Sequence, residues 1–441
     1  MALIVPWTSG RRPPHTIRPV LETLASDAGA AAALAALLAL PGVIVVRSPW
    51  RAMPLLSLSF WVLSWTWLGG LSRSRWLQAS LIAFAALAVL RLLRGGPWPA
   101  PSRALALLAV VALALFVPFL VWPIGPGWRQ PLESASALLV SWHDGWPGSF
   151  EPLLAARPFR ASGVATLAGD VVLLSGAAAH RAALLVALAG QAVLLLALWS
   201  LAATATTAGR AAVLAAAAVL VTAAPPGMGP GALAVALAAE SAALGRGGRG
   251  IPSAFAAGAC AAAAVAVDVA AGLAALAMVL AAALQIGPTN PGRARTAIGT
   301  ALVLALPLAL RRSLVAWPEI APLVALAVIL LLTALATRAP RPWPRWITPA
   351  ALTAAAVWAA VITSQVEPPL DTGQRAVLAS IRQRARPLDV VCAPPSLASA
   401  WIPALTGHAT SAPLTSALPA ATGPCAISVE SSEVWTSSRN R

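Results

Sequence analysis

Long apolar runs, broken by short segments containing Arg, Pro or Gly, set the pattern of this chain. They fall at about 28–46, 54–71, 76–93 and 104–124, and resume at about 182–203, 211–224, 229–245, 251–285, 296–310, 319–337 and 347–364. A helix that crosses a bilayer needs roughly 20 mostly apolar residues, and most runs have that length. The run 251–285 is too long for one crossing and carries Asp268 at its middle. A carboxylate there is costly in a lipid-facing helix, so the run reads as two short helices turning near Asp268. The pattern predicts an all-α polytopic membrane protein with about 12 transmembrane helices.

Two stretches break the pattern. The segment 125–181 is rich in Trp, Pro, Gly and scattered charges and reads as a long loop. The segment 365–441 is far more polar. Within it, Asp371–Ala385 has helical spacing with Val377, Leu378 and Ile381 on one side, and Asp389–Ala393 and Ala426–Val429 read as buried strands. It is short for an independent domain, so it is expected to pack on the rest as a small α/β piece. The resulting division is 1–103, N-terminal membrane helices; 104–364, a membrane core with the loop 125–181; and 365–441, a C-terminal domain.

Charge orients the chain. With a turn at Asp268, one side receives Arg210, Arg246, Arg249, Arg293, Arg295, Arg338, Arg341 and Arg345, and the other only Arg311 and Arg312. Basic residues favour cytoplasmic loops, which places both the 125–181 loop and the C-terminal segment outside. Helix parity then puts the N-terminus outside too, although Arg residues among the first helices divide about evenly. The first 27 residues, with Arg11, Arg12 and Arg18 among prolines, do not read as a cleavable signal peptide.

Composition sharpens this. Of 441 residues, 59% are apolar and 10% charged, where a soluble domain is roughly a quarter charged. The net charge of +16 comes from basic residues in ones and twos between apolar runs, so nucleic acid is not an expected partner. Lys and Tyr are absent and Asn occurs only at Asn290 and Asn440. These residues share AT-rich codons, which points to a GC-rich bacterial genome; with the apolar runs, the expected location is the bacterial inner (plasma) membrane. Cys260 lies in an apolar run, while Cys392 and Cys425 lie in the C-terminal segment. If that segment is exported, either a disulfide or two unpaired thiols fits.

The densest polar and aromatic cluster is Ser141-Trp142-His143-Asp144-Gly145-Trp146-Pro147-Gly148-Ser149-Phe150-Glu151. A carboxylate just outside a helix end can accept a proton or bind a divalent cation. Flanking Trp rings can stack on sugars or anchor at the interface; an interfacial belt with solvated charges is the plainer alternative. His180 and Arg181 follow at the start of an apolar run. Asp170 reads as a loop or helix-end charge, and Glu240 falls within an expected helix.

A helix end, a loop with an acid, an amphipathic stretch and then Leu173-Leu174-Ser175-Gly176…His180-Arg181 form an order with a precedent. It resembles polyprenyl-phosphate-sugar-dependent membrane glycosyltransferases of the GT-C type, the protein O-mannosyltransferase-like group. The C-terminal stretch Trp401-Ile402-Pro403-Ala404-Leu405-Thr406-Gly407-His408 looks like a loop in some bacterial relatives of that group. The likeness spans about 104–410. It departs from the group where His143, not a second acid, precedes Asp144, and where Pro225–Pro230 contains no basic residue. The resemblance implies sugar transfer from a polyprenyl-phosphate donor on the outer face. Asp144 would be general base or ligand to Mg or Mn. His143, Glu151 and Arg181 would contact substrate, Arg181 either meeting the phosphate or anchoring its helix at the interface; the predicted hairpin places Asp268 on the same outer side as Asp144, as a second substrate-contacting wall of the cavity or as a turn residue. Two other classes fit the hydropathy: a transporter or lipid flippase, disfavoured by the lack of a visible long repeat, and a non-catalytic envelope-assembly protein.

Overall fold

The computed structural model describes residues 3–4, 17–45, 53–68, 71–94, 130–153, 159, 161–204, 231–247, 250–286, 290–311, 370, 372–386, 389–393, 397–411 and 425–428. These residues are mostly helical, with one small parallel sheet. The runs expected at 104–124, 211–224, 319–337 and 347–364, and the Pro225–Pro230 stretch, lie outside them.

Three helices open the bundle: α1 (Ile17–Val45), α2 (Met53–Leu68) and α3 (Arg73–Leu93). The segment 125–181, expected as a loop, is built largely from α4 (Gln130–His143) and α5 (Gly163–Ser175). Its Trp, Pro and Gly residues masked two short helices whose apolar faces are buried. α4 and α5 run parallel. Ser162, the N-cap of α5, donates to Glu133 near the start of α4 at 2.7 Å. Farther along, a Cβ at Gly169 would lie 2.4 Å from Val140 Cγ1, so only glycine allows this approach. After a turn at Gly176 (φ 68°) the chain enters α6 (Ala179–Ala203). Residues Ala179–Ala202 form the one described helix long and apolar enough by length and composition to cross a membrane; several others are apolar but shorter.

Then follow α7 (Gly231–Gly247), α8 (Ile251–Val267), α9 (Val269–Ile286) and α10 (Pro291–Arg311). The turn expected near Asp268 is present. α8 is an Ala-rich helix with Pro in its first turn, where a missing N–H costs nothing. It ends because Asp268 is extended (φ −148°, ψ 123°). Asp268 then accepts from Ala271 N at 2.9 Å and so caps α9. α8 is the hub of this half, packing on α2, α7, α9 and α10.

The C-terminal segment contains α11 (Thr372–Arg384), short helices α12 (Leu397–Ala400) and α13 (Ile402–Thr406), and strands β2 (Val390–Cys392), β3 (Ala409–Thr410) and β4 (Cys425–Ser428). β1 (Leu3–Ile4), from the N-terminus, joins them in the parallel order β1-β4-β2-β3, with Leu3 opposite Ile427 and Val390 opposite Ala409. That pairing was not foreseen. The segment shares a core with the α4 region: Leu378, Ile381, Val391 and Trp401 are buried with Leu139 and Phe159. Cys392 is disulfide-bonded, and β4, beginning at Cys425, lies beside β2; Cys260 is free and buried.

Candidate functional site

Asp144 ends α4 in the left-handed region (φ 48°), which places its carboxylate over the first turn of α3. It accepts from Ser74 N at 2.6 Å, Ser74 Oγ at 2.8 Å and Ser72 Oγ at 2.5 Å, while its carbonyl accepts from Arg73 N at 2.8 Å. Asp144 is thus a cap for a helix distant in sequence, where a negative charge also suits the helix dipole. Partial burial pushes its pKa up, but the Ser72 and Ser74 hydrogen bonds and the Arg75 charge outweigh this and hold the carboxyl below its usual value.

The neighbouring candidates are less engaged. His143 is exposed, with Nδ1 3.0 Å from Leu139 O. Glu151 is exposed, its N–H bonded to Ser149 Oγ at 3.2 Å. Trp146 packs edge-on to Trp65 and Phe159, whereas Trp142 stays half-exposed against Gly407 of the C-terminal segment. Arg181, in the first turn of α6, is buried and pairs through Nε (3.0 Å) and Nη2 with Asp27 on α1.

Asp170 is neither a loop nor a helix-end charge, as the sequence suggested. It sits within α5, fully buried, and forms a two-pronged ion pair with buried Arg73: Nε–Oδ1 2.8 Å, Nη2–Oδ2 2.7 Å. Trp65 Nε1 reaches both oxygens at 3.2 Å, and Ser64 Oγ accepts from Arg73 Nη1 at 2.9 Å. The guanidinium lies 4.2 and 4.6 Å from the ring centroids of Trp65 and Trp76. This joins α2, α3 and α5. The sequence signal was an acid inside the apolar stretch 163–175, which demands a partner.

Asp268 lies deeper than Asp144. A Cβ at Gly163 would lie 2.7 Å from Val267 Cγ2, so the α8–α9 turn packs on the start of α5. Gly163 precedes Asp170 by seven residues, about 10 Å along a helix. The structure therefore sets Asp144 and Asp268 at different levels with separate partners. Glu133 and Gln130, both buried and both without a signal in the sequence, lie at the start of the described part of α4, where Glu133 accepts from Ser162 Oγ at 2.7 Å.

On the C-terminal segment, His408 is buried, and neither ring nitrogen has a partner. Burial lowers its pKa against the opposing pull of Asp389.

A divalent ion at Asp144 would need further ligands. Among the described residues no group of three or more His, Cys, Asp or Glu is placed to hold a metal, and the Asp144 oxygens already accept three hydrogen bonds. The described residues do not assemble a metal site there. No family model matches the chain, and no curated protein or solved structure does so significantly.

Proposed function

We propose that the chain is a multi-pass bacterial plasma-membrane protein that transfers a sugar from a polyprenyl-phosphate donor to an acceptor on the outer face. One observation carries the reading. The Asp144 loop, the start of α6 with Arg181, and the α13 segment gather at one end of the bundle, α13 packing on both α4 and α6. This is the order of parts that the family resemblance calls for.

Two further observations support the membrane placement. Large apolar side chains face outward on α3 (Ile82, Leu93), α9 (Leu273) and α10 (Leu302, Val303, Leu306), an arrangement suited to lipid and costly in water. The disulfide at Cys392 fits an oxidising compartment for the C-terminal segment. The chemistry then needs a carboxylate to take the acceptor proton and positive charge near the departing phosphate. Arg181 serves the second need. A transporter reading has the buried acids Glu240 and Asp268 in its favour.

The test uses purified protein in lipid nanodiscs with polyprenyl-phosphate mannose, glucose, galactose and arabinose. Sugar release or transfer above empty nanodiscs is expected for at least one donor. No turnover of any donor, combined with solute or lipid flux in sealed vesicles, would replace this reading with the transporter.

A further inference from the structure

Two arginines of this bundle are each held by a two-pronged carboxylate, and the two pairs differ in what encloses them. Arg73 and Asp170 are 2% and 0% exposed. Asp170 also accepts from Trp65 Nε1, and the Arg73 guanidinium lies over two Trp rings. That pair is enclosed on every side. Arg181 and Asp27 make the same kind of contact, Nε to Oδ1 at 3.0 Å and Nη2 to Oδ2, but only the arginine is enclosed. Its side chain is 5% exposed, and that of Asp27 is 16% exposed. Among the described residues, Asp27 accepts from Arg181 alone.

Asp27 lies on α1, one of the N-terminal helices that the family resemblance does not cover. Two residues on, a Cβ at Gly29 would lie 3.9 Å from Ser175 Cβ, so α1 passes the α5–α6 corner in ordinary contact. Farther along, Pro41 has no N–H to offer Leu37 O, and Trp61 Nε1 donates to that oxygen at 2.8 Å. Gly42 N donates to Ser57 Oγ at 2.7 Å. The far part of α1 is thus fastened to α2, and the break in the ladder at Pro41 gives the Asp27 end a point to swing about. Charge at that end is unbalanced. His180 meets the charges of Arg181 and of Arg382 on α11, against the single acid Asp27.

We propose that Asp27 is a stand-in for the donor's phosphate: it occupies the fork of Arg181 and yields it to a lipid-linked phosphate. This rests on the sugar-transfer reading above, which gives Arg181 to the departing phosphate. A guanidinium fork receives a carboxylate or a phosphate through the same N–H groups. An empty fork would leave a buried cation unpaired, which is strongly unfavourable. Asp27 prevents that, and its open side lets it leave where Asp170 cannot. The exchange also suits the chemistry. In the donor the phosphate is a diester with a single negative charge. When its bond to the anomeric carbon breaks, the electron pair stays on the phosphate oxygen, and the monoester carries about two. The competition for Arg181 therefore tips towards phosphate as the reaction proceeds, which is where added binding speeds it. Asp27 makes and breaks no covalent bond. It is a positioning residue that acts through Arg181.

The experiment measures binding of polyprenyl phosphate, without sugar, to the full chain in phosphatidylcholine nanodiscs, and the melting temperature with and without that lipid. It compares wild type, Asp27→Asn, Asp27→Glu and Arg181→Gln. Asn removes the competing charge and keeps an oxygen for Arg181. Asp27→Asn should melt below wild type, regain the loss when polyprenyl phosphate is added, and bind that lipid about tenfold or more tightly than wild type. Asp27→Glu keeps the charge and should bind like wild type. Arg181→Gln should abolish binding. A pair that only ties α1 to α6 predicts otherwise: Asp27→Asn would melt low and bind no better. That result, unfolding of Asp27→Asn even with the lipid present, or binding that survives Arg181→Gln overturns the exchange and leaves sugar transfer standing. Equal tightening for phosphatidic acid overturns the donor lipid as occupant. No binding of polyprenyl phosphate to wild type or Asp27→Asn overturns both the exchange and the donor reading.

Discussion

Asp170 supplies the only negative charge that the structure shows touching the buried guanidinium of Arg73 among the described residues. Removing it leaves a cation stranded between two Trp rings, and breaking a buried pair from one side costs about 3–5 kcal/mol. Asp170→Asn is therefore expected to lower the melting temperature markedly in detergent or nanodiscs. The double change Arg73→Met with Asp170→Leu removes both charges, and replacing a whole buried pair by apolar groups is often neutral. It should recover most of the loss. If the double variant melts no higher than Asp170→Asn, the stacking of Arg73 on Trp65 and Trp76 matters more than its charge partner. At this scale the sequence was half-legible. Asp144, Arg181 and Asp268 stood out because each interrupts or borders an apolar run. Arg73 did not, because an Arg between two apolar runs reads as a loop charge, and only the fold brings Asp170 to it. Gln130 carries no charge, and no local pattern announces it.

Between elements, one tight constraint is the return of α9 on α8. A Cβ at Gly272 would fall 2.2 Å from Val265 Cα, against backbone that cannot swing aside. Gly272→Ala must therefore push the two helices apart, and overpacking typically costs about 1–3 kcal/mol. Gly299 on α10 is the control, since nothing lies within 4 Å of a Cβ there. Gly299→Ala is expected to be neutral or slightly stabilising, because alanine favours helix by about 1 kcal/mol. Paired melting curves of the two variants check this, and equal melting temperatures would contradict the close turn at Asp268. The turn itself was legible, since a 35-residue apolar run with one central acid has few other solutions. So were α11, β2 and β4, whose apolar periodicity is local. The helices α4 and α5 were not, because Trp, Pro and Gly in their connections dominated the pattern.

For the whole molecule, the sheet decides more than its size suggests. β1, from the first residues, pairs with β4, from the last, and both share a sheet with β2 and β3. An open sheet cannot sit in hydrocarbon, where its edge groups would lack hydrogen bonds. In the proposed bilayer placement both termini must therefore lie on one side, the side that the disulfide at Cys392 marks as oxidising. Sequence alone left the N-terminus weakly placed, because Arg residues among the first helices divide evenly; a pairing across more than 400 residues has no local signature. In the same proposed placement, the Arg246 and Arg249 charges around the α7–α8 connection put that connection on the opposite side. Single cysteines test this in a variant with Cys260, Cys392 and Cys425 replaced. In intact spheroplasts a membrane-impermeant maleimide should label Thr8→Cys and Ser437→Cys, and should reach Gly248→Cys only after permeabilisation. Labelling of Thr8→Cys and Ser437→Cys from opposite sides would break the sheet pairing. Labelling of all three from outside would break the charge-based orientation and, with it, the outer-face position of the Asp144 end of the bundle.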